Sequence, residues 1–63
     1  MDELASERIR AALEDIAEEL ADMGRAKLSE AIRTDSKEAV AAERRLSRAR
    51  QAVLKAAFLL RED

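Results

Sequence analysis

The sequence lacks the side chains on which most enzyme and metal chemistry depends. It has no cysteine, histidine, tryptophan, tyrosine or proline, and it has one glycine and one phenylalanine. Without cysteine the chain can form neither a disulfide nor a thiolate metal site. Without histidine or cysteine it also has no common base or nucleophile near neutral pH. We therefore predict no catalytic activity, no metal or cofactor, and no small-molecule substrate.

Long hydrophobic runs are absent as well. The longest apolar stretch, AAFLL at 56–60, is far shorter than the roughly 20 residues that span a bilayer. The first ten residues, MDELASERIR, are acidic and contain no apolar segment typical of a secretion signal. These features predict a soluble, cytoplasmic protein that does not enter a membrane.

The residues that are present are typical of long helices. Of the 63 residues, 48% are apolar and 41% are charged, and apolar residues recur at helical spacing nearly throughout. The sequence predicts one all-α domain, residues 1–63, with a helix at about 2–33, a turn at about 34–36 and a helix at about 36–61. Asp35 is the predicted cap of the second helix, with Glu38 as its capping-box partner. The alternatives are a three-helix bundle in which Gly24 breaks the first helix and a single unbroken helix.

Small residues recur every seven positions in both predicted helices, from Ala17 in the first and from Ala42 in the second. Folding the chain back at 34–36 pairs the two series in antiparallel order, with Gly24 opposite Ala49. Small side chains at these positions predict closely spaced helix axes, which would account for a glycine inside a helix. The predicted seam between the helices comprises Leu13, Ala17, Leu20, Gly24, Ala31, Ala42, Leu46, Ala49, Val53, Ala56 and Leu60.

Apolar residues remain on both flanks of this seam. One flank has Ile9, Ile16, Met23 and Leu59, and the other has Leu28, Ile32, Val40, Leu54 and Phe58. Leaving all of them exposed would give a larger apolar patch than monomers usually show. We therefore predict a structural or protein-interaction module that dimerises into a four-helix bundle or docks on a helical protein partner. The predicted association surface comprises Ile9, Ile16, Met23, Leu54, Phe58 and Leu59.

The single short loop, TDS at 34–36, and the alanine heptads resemble the Rop-type helical hairpin, a plasmid-encoded RNA-binding dimer. The resemblance covers the whole chain as architecture and implies a dimeric four-helix bundle. Rop-like proteins bind RNA through polar and aromatic residues on the outer face of the first helix, where this chain has Asp15, Glu18 and Asp22. The paired helices and the stretch AVLKAAFLL are also similar to small hairpin chaperones of type III secretion needles. That likeness implies a chaperone that completes its fold with a protein partner. Regular heptads of this kind are found in designed hairpins as well as in natural ones.

Charge is divided unevenly along the chain. Residues 1–24 have eight acidic and two basic side chains, whereas residues 25–63 have ten basic and six acidic ones. This asymmetry predicts that an acidic helix folds back on a basic one, with Glu30 beside Arg45. Nucleic acid is the alternative partner, although no aromatic residue is interleaved for base stacking. The candidate nucleic-acid face is a basic ridge on the second helix that comprises Lys37, Arg44, Arg48 and Lys55.

Three acidic residues match a metal-binding spacing. Glu18, Glu19 and Asp22 have the E-E-x-x-D pattern with which all-helical nucleotide pyrophosphatases hold Mg²⁺, an ion that prefers oxygen ligands. Those enzymes need a second acidic motif on a facing helix, and the second helix here offers only Glu38 and Glu43. We therefore interpret the three acids as a solvated helix face.

Overall fold

The chain forms an antiparallel hairpin of two helices. The computed structural model describes residues 2–61, so Met1, Glu62 and Asp63 of the predicted domain lie outside the described residues. Helix α1 spans Glu3–Thr34 and helix α2 spans Lys37–Leu59, and residues 2–61 contain no strand. The Cα atoms extend over 47 × 14 × 10 Å. The predicted all-α helix-turn-helix hairpin is confirmed.

Helix α1 is continuous through Gly24. It begins with a capping contact in which the backbone N–H of Leu4 donates to Oδ1 of Asp2 at 3.0 Å. Its interior is rich in alanine, leucine, glutamate and arginine, which are strong helix formers. Gly24 does not have a positive φ, so it is an ordinary helical residue rather than a left-handed cap. The three-helix alternative is therefore wrong, because α1 ends only at Thr34.

Asp35 and Ser36 reverse the direction of the chain. Asp35 has left-handed backbone angles, φ 54° and ψ 42°, and it ends α1 in the way that a glycine usually does. Ser36 is extended, and its Oγ accepts a hydrogen bond from the backbone N–H of Ala39 at 3.1 Å. The predicted cap is therefore wrong by one residue. Asp35 terminates α1 because aspartate tolerates the left-handed region, and this leaves Ser36 to cap α2.

The last turn of α2 closes on its own backbone. The N–H of Leu60 donates to the carbonyl oxygen of Ala56 at 3.2 Å, and the N–H of Arg61 donates to that of Phe58 at 3.0 Å. Within residues 2–61, the regular helix thus stops at Leu59, followed by a turn at Leu60 and Arg61. This places Phe58 and Leu59 at the open end of the hairpin, opposite the loop.

The apolar core of the hairpin is thin. In the described part of the chain the buried apolar residues are Ala17, Ala39 and Ala57, each 3% exposed, and no large side chain is fully buried. Leucines between the helices, such as Leu13 and Leu46, are only half-buried. Two helices cover each other along one line, so every larger side chain there keeps one side in water.

Replacing Gly24 by alanine is expected to stabilise the protein. A Cβ atom added to Gly24 would meet nothing within 4 Å, so the predicted close approach of the helices at this point is wrong. Alanine should therefore raise the free energy of unfolding by about 1 kcal/mol through helix propensity alone. Urea unfolding monitored by circular dichroism measures the change. The matched control is Ala11→Gly at an exposed site of the same helix, which should lose about as much. A Gly24→Ala protein less stable than the parent would contradict the open space at this site.

Candidate interaction surfaces

The contact line between the helices has a regular four-three spacing. In α1 the buried or half-buried positions that follow this spacing are Ser6, Arg10, Leu13, Ala17, Leu20, Gly24, Lys27 and Ala31. In α2 and the turn after it they are Ala39, Glu43, Leu46, Arg50, Val53, Ala57 and Leu60. Other residues beside this line are half-buried too, namely Ala5, Ala21, Glu30, Ala42, Leu54 and Ala56. This is the spacing of an antiparallel coiled-coil seam. Ala39 continues the seven-residue series of Leu46, Val53 and Leu60 toward the loop. The predicted seam does not include Ala39, although this spacing indicates it.

One series of the predicted seam is displaced by one residue in α2. Ala57 is buried beside the predicted Ala56, and Arg50 is half-buried beside the predicted Ala49, whereas Glu43 and the predicted Ala42 are both half-buried. Ala49 is exposed, and Ala42 and Ala56 are half-buried. The predicted contact between Gly24 and Ala49 is therefore wrong. Arg50 can occupy the contact line because the seam is open to water on both sides, so its stem packs while its charged tip stays solvated.

The remaining predicted seam residues lie along the contact line. Ala17 is buried, and the others are half-buried, namely Leu13, Leu20, Gly24, Ala31, Leu46, Val53 and Leu60. A shallow cavity of about 220 Å³ beside Gly24 fixes which residues lie at the same height. Its lining joins Gly24 and Leu28 of α1 to Leu46 and Ser47 of α2. Pairing the lining residues in antiparallel order puts Gly24 with Leu46 and Leu20 with Arg50, and each pair of numbers sums to 70. Two residues at the same height along the hairpin axis therefore have numbers that sum to about 70.

The alanine series forms a flat apolar surface on one flank of the hairpin. Ala42, Ala49 and Ala56 each precede a contact-line residue of α2 by one position, which is about 100° around the helix. In α1 the residues in the same relation are Ile9, Ile16 and Met23. Antiparallel helices bring these two sets to the same side. We call the surface of Ile9, Ile16, Met23, Ala42, Ala49 and Ala56 the alanine face.

Large side chains on the alanine face are substantially exposed. Ile9, Ile16 and Met23 are 47%, 43% and 53% exposed. Leu59, which lies at the edge of this face, is 57% exposed. No charged residue interrupts the six positions of the face, and their spacing of seven produces a straight apolar strip along the helices.

The opposite flank has a polar centre. Its cavity is lined by Arg25, Glu43, Ser47 and Arg50 in addition to apolar side chains. Exposed apolar residues occur toward its two ends, with Leu28, Ile32 and Val40 near the loop and Phe58 near the open end. Leu54 of the predicted association surface is half-buried on this flank, beside exposed Phe58. The predicted association residues therefore lie on two different sides of the hairpin.

The outer surfaces of the two helices have opposite charge. All four residues of the candidate nucleic-acid face, Lys37, Arg44, Arg48 and Lys55, are exposed along the outer side of α2. The outer side of α1 presents Asp15, Glu18 and Asp22, which are also exposed. Helix α1 has eight acidic and five basic residues, and helix α2 has two acidic and six basic ones. The net charges of α1 and α2 are therefore −3 and +4.

The ion pairs of residues 2–61 join side chains of α1 only. Arg25 pairs with Asp22, and Nζ of Lys27 donates to Oε1 of Glu30 at 3.2 Å. The predicted pair of Glu30 with Arg45 is not formed, and Glu30 pairs instead with Lys27 of its own helix. The opposite charges of the two helices thus make no salt bridge across the hairpin in the described part of the chain.

Between residues 2 and 61, no group of three or more acidic side chains is arranged to hold a metal ion, and Asp22 of the acidic cluster is paired with Arg25. Neither described helix is apolar over a stretch long enough to cross a bilayer.

Comparison with known proteins does not assign the chain to a family. No protein family, curated protein or solved structure matches it significantly. The resemblance to Rop-type proteins is therefore limited to the helical hairpin. What the chain does has to be inferred from its own surfaces.

Proposed function

We propose that the chain is an interaction module that functions by self-association, in which two hairpins pair into a four-helix bundle. One observation carries this proposal. The buried apolar residues of the hairpin in 2–61 are three alanines, whereas nine large apolar side chains are exposed. Burial of apolar surface is the main stabilising term in folding, at roughly 25 cal/mol per Å². A chain of this size with so little buried gains more stability from a second layer of helices than from its own contact line.

The alanine face is the surface we assign to the dimer contact. It is apolar along its length, and its small residues allow another helix to approach closely. The six positions of the alanine face extend over about 21 Å of each helix, and with the 14 Å Cα width of the hairpin they cover roughly 300 Å² before side chains widen the face. Stable interfaces bury about 800 Å² on each partner, so the dimer contact has to extend beyond these six positions to neighbouring side chains such as Leu59. The opposite flank is less suitable because charged side chains occupy its centre.

A helical partner of different sequence is the other way to cover the same face. This would be the arrangement of a small chaperone whose fold is completed by its client. We favour a second copy, because the straight strip of alternating large and small side chains is self-complementary, as a twofold interface requires. A second copy covers Ile9 and Ile16 without a chain of different sequence.

Sedimentation equilibrium over a range of protein concentrations tests the proposal. We expect the mass to rise from the monomer value of 7.0 kDa to twice that value between about 1 and about 500 μM. The thermal unfolding midpoint should rise over the same range, because association stabilises the folded chain by mass action. A well-folded protein that remains at 7.0 kDa at the highest concentration would refute self-association and favour a partner of different sequence.

A further inference from the structure

The outer sides of the helices have matching series of opposite charge. Asp15 and Asp22 lie seven residues apart on the outer side of α1, and Arg48 and Lys55 lie seven apart on the outer side of α2. Because residues at the same height have numbers that sum to about 70, Asp15 lies at the height of Lys55, and Asp22 lies at the height of Arg48. Within one hairpin these residues point away from each other, and no salt bridge joins them.

A second hairpin on the alanine face changes the neighbours of these charges. The outer side of each helix is about 90° from the direction of the new contact. This is the position of the e and g residues of a coiled coil, whose charges set the orientation of partner helices. The charges can therefore pair only if α1 of one chain lies beside α2 of the other.

Resting on the proposed dimer, we infer that its two chains are arranged with α1 of each against α2 of the partner, so that both loops lie at the same end of the bundle. The twofold axis is then parallel to the helices, so a residue lies at the same height along the bundle in both subunits. Asp15 and Asp22 of one subunit lie level with Lys55 and Arg48 of the partner subunit. All four neighbouring helix pairs in the bundle are antiparallel and combine a net charge of −3 with one of +4.

Side-chain size supports the same arrangement. By the same relation Ile16 lies level with about Leu54 and Met23 with about Ser47, each about two residues, or about 3 Å, from Ala56 and Ala49 respectively. With the loops at the same end, Ile16 and Met23 therefore lie close to an alanine of the partner's α2 in both new helix contacts, whereas Ile9 lies level with about Arg61. Alternating large and small residues across facing positions is how helical layers interdigitate.

The other twofold arrangement puts the loops at opposite ends. It packs α1 against α1 of the partner and α2 against α2. Like charges then face each other along both seams, which is unfavourable at these spacings. One seam would contain only the large residues Ile9, Ile16 and Met23, and the other only alanines. The two seams would therefore prefer different distances between the helix axes.

Energy transfer between single engineered cysteines distinguishes the two arrangements. The chain has no native cysteine, so Lys37→Cys near the loop and Glu7→Cys near the open end, both at exposed sites, give clean labels. In one sample, chains with the donor dye at position 37 are mixed with chains that have the acceptor dye at position 37. In the matched sample the donor is on position 37 and the acceptor on position 7. Along the bundle axis positions 37 and 7 are about 40 Å apart within a chain.

With a dye pair whose Förster distance is shorter than the 37–7 separation of about 40 Å, we expect efficient transfer in the 37–37 sample and weak transfer in the 37–7 sample, because both loops lie at one end. The reverse order would overturn the inference and establish the opposite-end arrangement. Equal transfer in both samples would also overturn it, since no single orientation would then be preferred. Sedimentation of the same labelled samples shows whether a dimer has formed, so failure to associate is separated from association in the wrong orientation.

Salt provides a second readout of the same inference. Attraction between unlike helices is screened by salt, so the dimer should weaken as NaCl is raised from about 0.05 to about 0.5 M. Repulsion between like helices would also be screened, and that arrangement should become tighter over the same range. A dimer that strengthens with added salt would therefore contradict the pairing of α1 with α2 of the partner.

Discussion

Ile16→Asp will keep the chain monomeric under conditions in which the parent chain is a dimer. Ile16 lies at the middle of the alanine face and is 43% exposed in the single hairpin. Association would bury the new carboxylate in an apolar layer, at a cost of roughly 2 kcal/mol per site. The substitution occurs twice in a twofold dimer, so the dissociation constant should increase about 1000-fold. Sedimentation equilibrium measures this change directly.

Ile32→Asp is the matched control for this experiment. It makes the same chemical change in the same helix, at a residue that is 79% exposed and lies on the other side of the contact line. Its dissociation constant should stay within a few-fold of the parent value. If the two variants weakened the dimer equally, or if Ile32→Asp alone did so, the alanine face would not be the dimer contact.

Ala17→Leu will destabilise the fold, whereas Ala11→Leu will not. Ala17 is 3% exposed on the contact line, so we expect three added carbon atoms to push the helices apart there. Overpacking of this kind costs about 1–3 kcal/mol of unfolding free energy. Ala11 is exposed on the same helix, and leucine is nearly as good a helix former as alanine. Its effect should therefore be within about 0.5 kcal/mol.

Urea unfolding at equal protein concentration measures both variants. Equal concentration matters because association contributes to apparent stability. An Ala17→Leu protein as stable as the parent would show that the helices have room at this position. The thin contact line of alanines would then not determine the spacing of the hairpin.

The hairpin itself could be predicted from the sequence because the heptads of both helices extend over nearly their whole lengths. The loop could be placed but not its caps, since Asp35 and Ser36 both suit an N-cap. The choice depends on which of them takes the left-handed backbone conformation. The role of Gly24 was harder to predict, because glycine is common both at helix ends and where helices pack closely. The structure has neither a helix end nor close packing at Gly24.

The contact line was misplaced in α2 because an apolar pattern gives no weight to the stem of an arginine. Arg50 ranks as polar, so the seam was drawn through its neighbour Ala49, which is exposed. The apolar flank residues were predictable, since any apolar position outside the contact line must face away from it. The surface that covers these flank residues could not be predicted, because one helical stripe can pack against many partners.

The reversal of the chain depends on the backbone of two residues, Asp35 and Ser36. If both had right-handed helical angles, α1 would continue into α2 without a change of direction. The 57 residues from Glu3 to Leu59 would then form one rod about 85 Å long. Two such rods lying side by side would make every contact of the hairpin between molecules rather than within one. The dihedral angles at Asp35 and Ser36 therefore determine whether the same heptads give a compact unit or an extended rod.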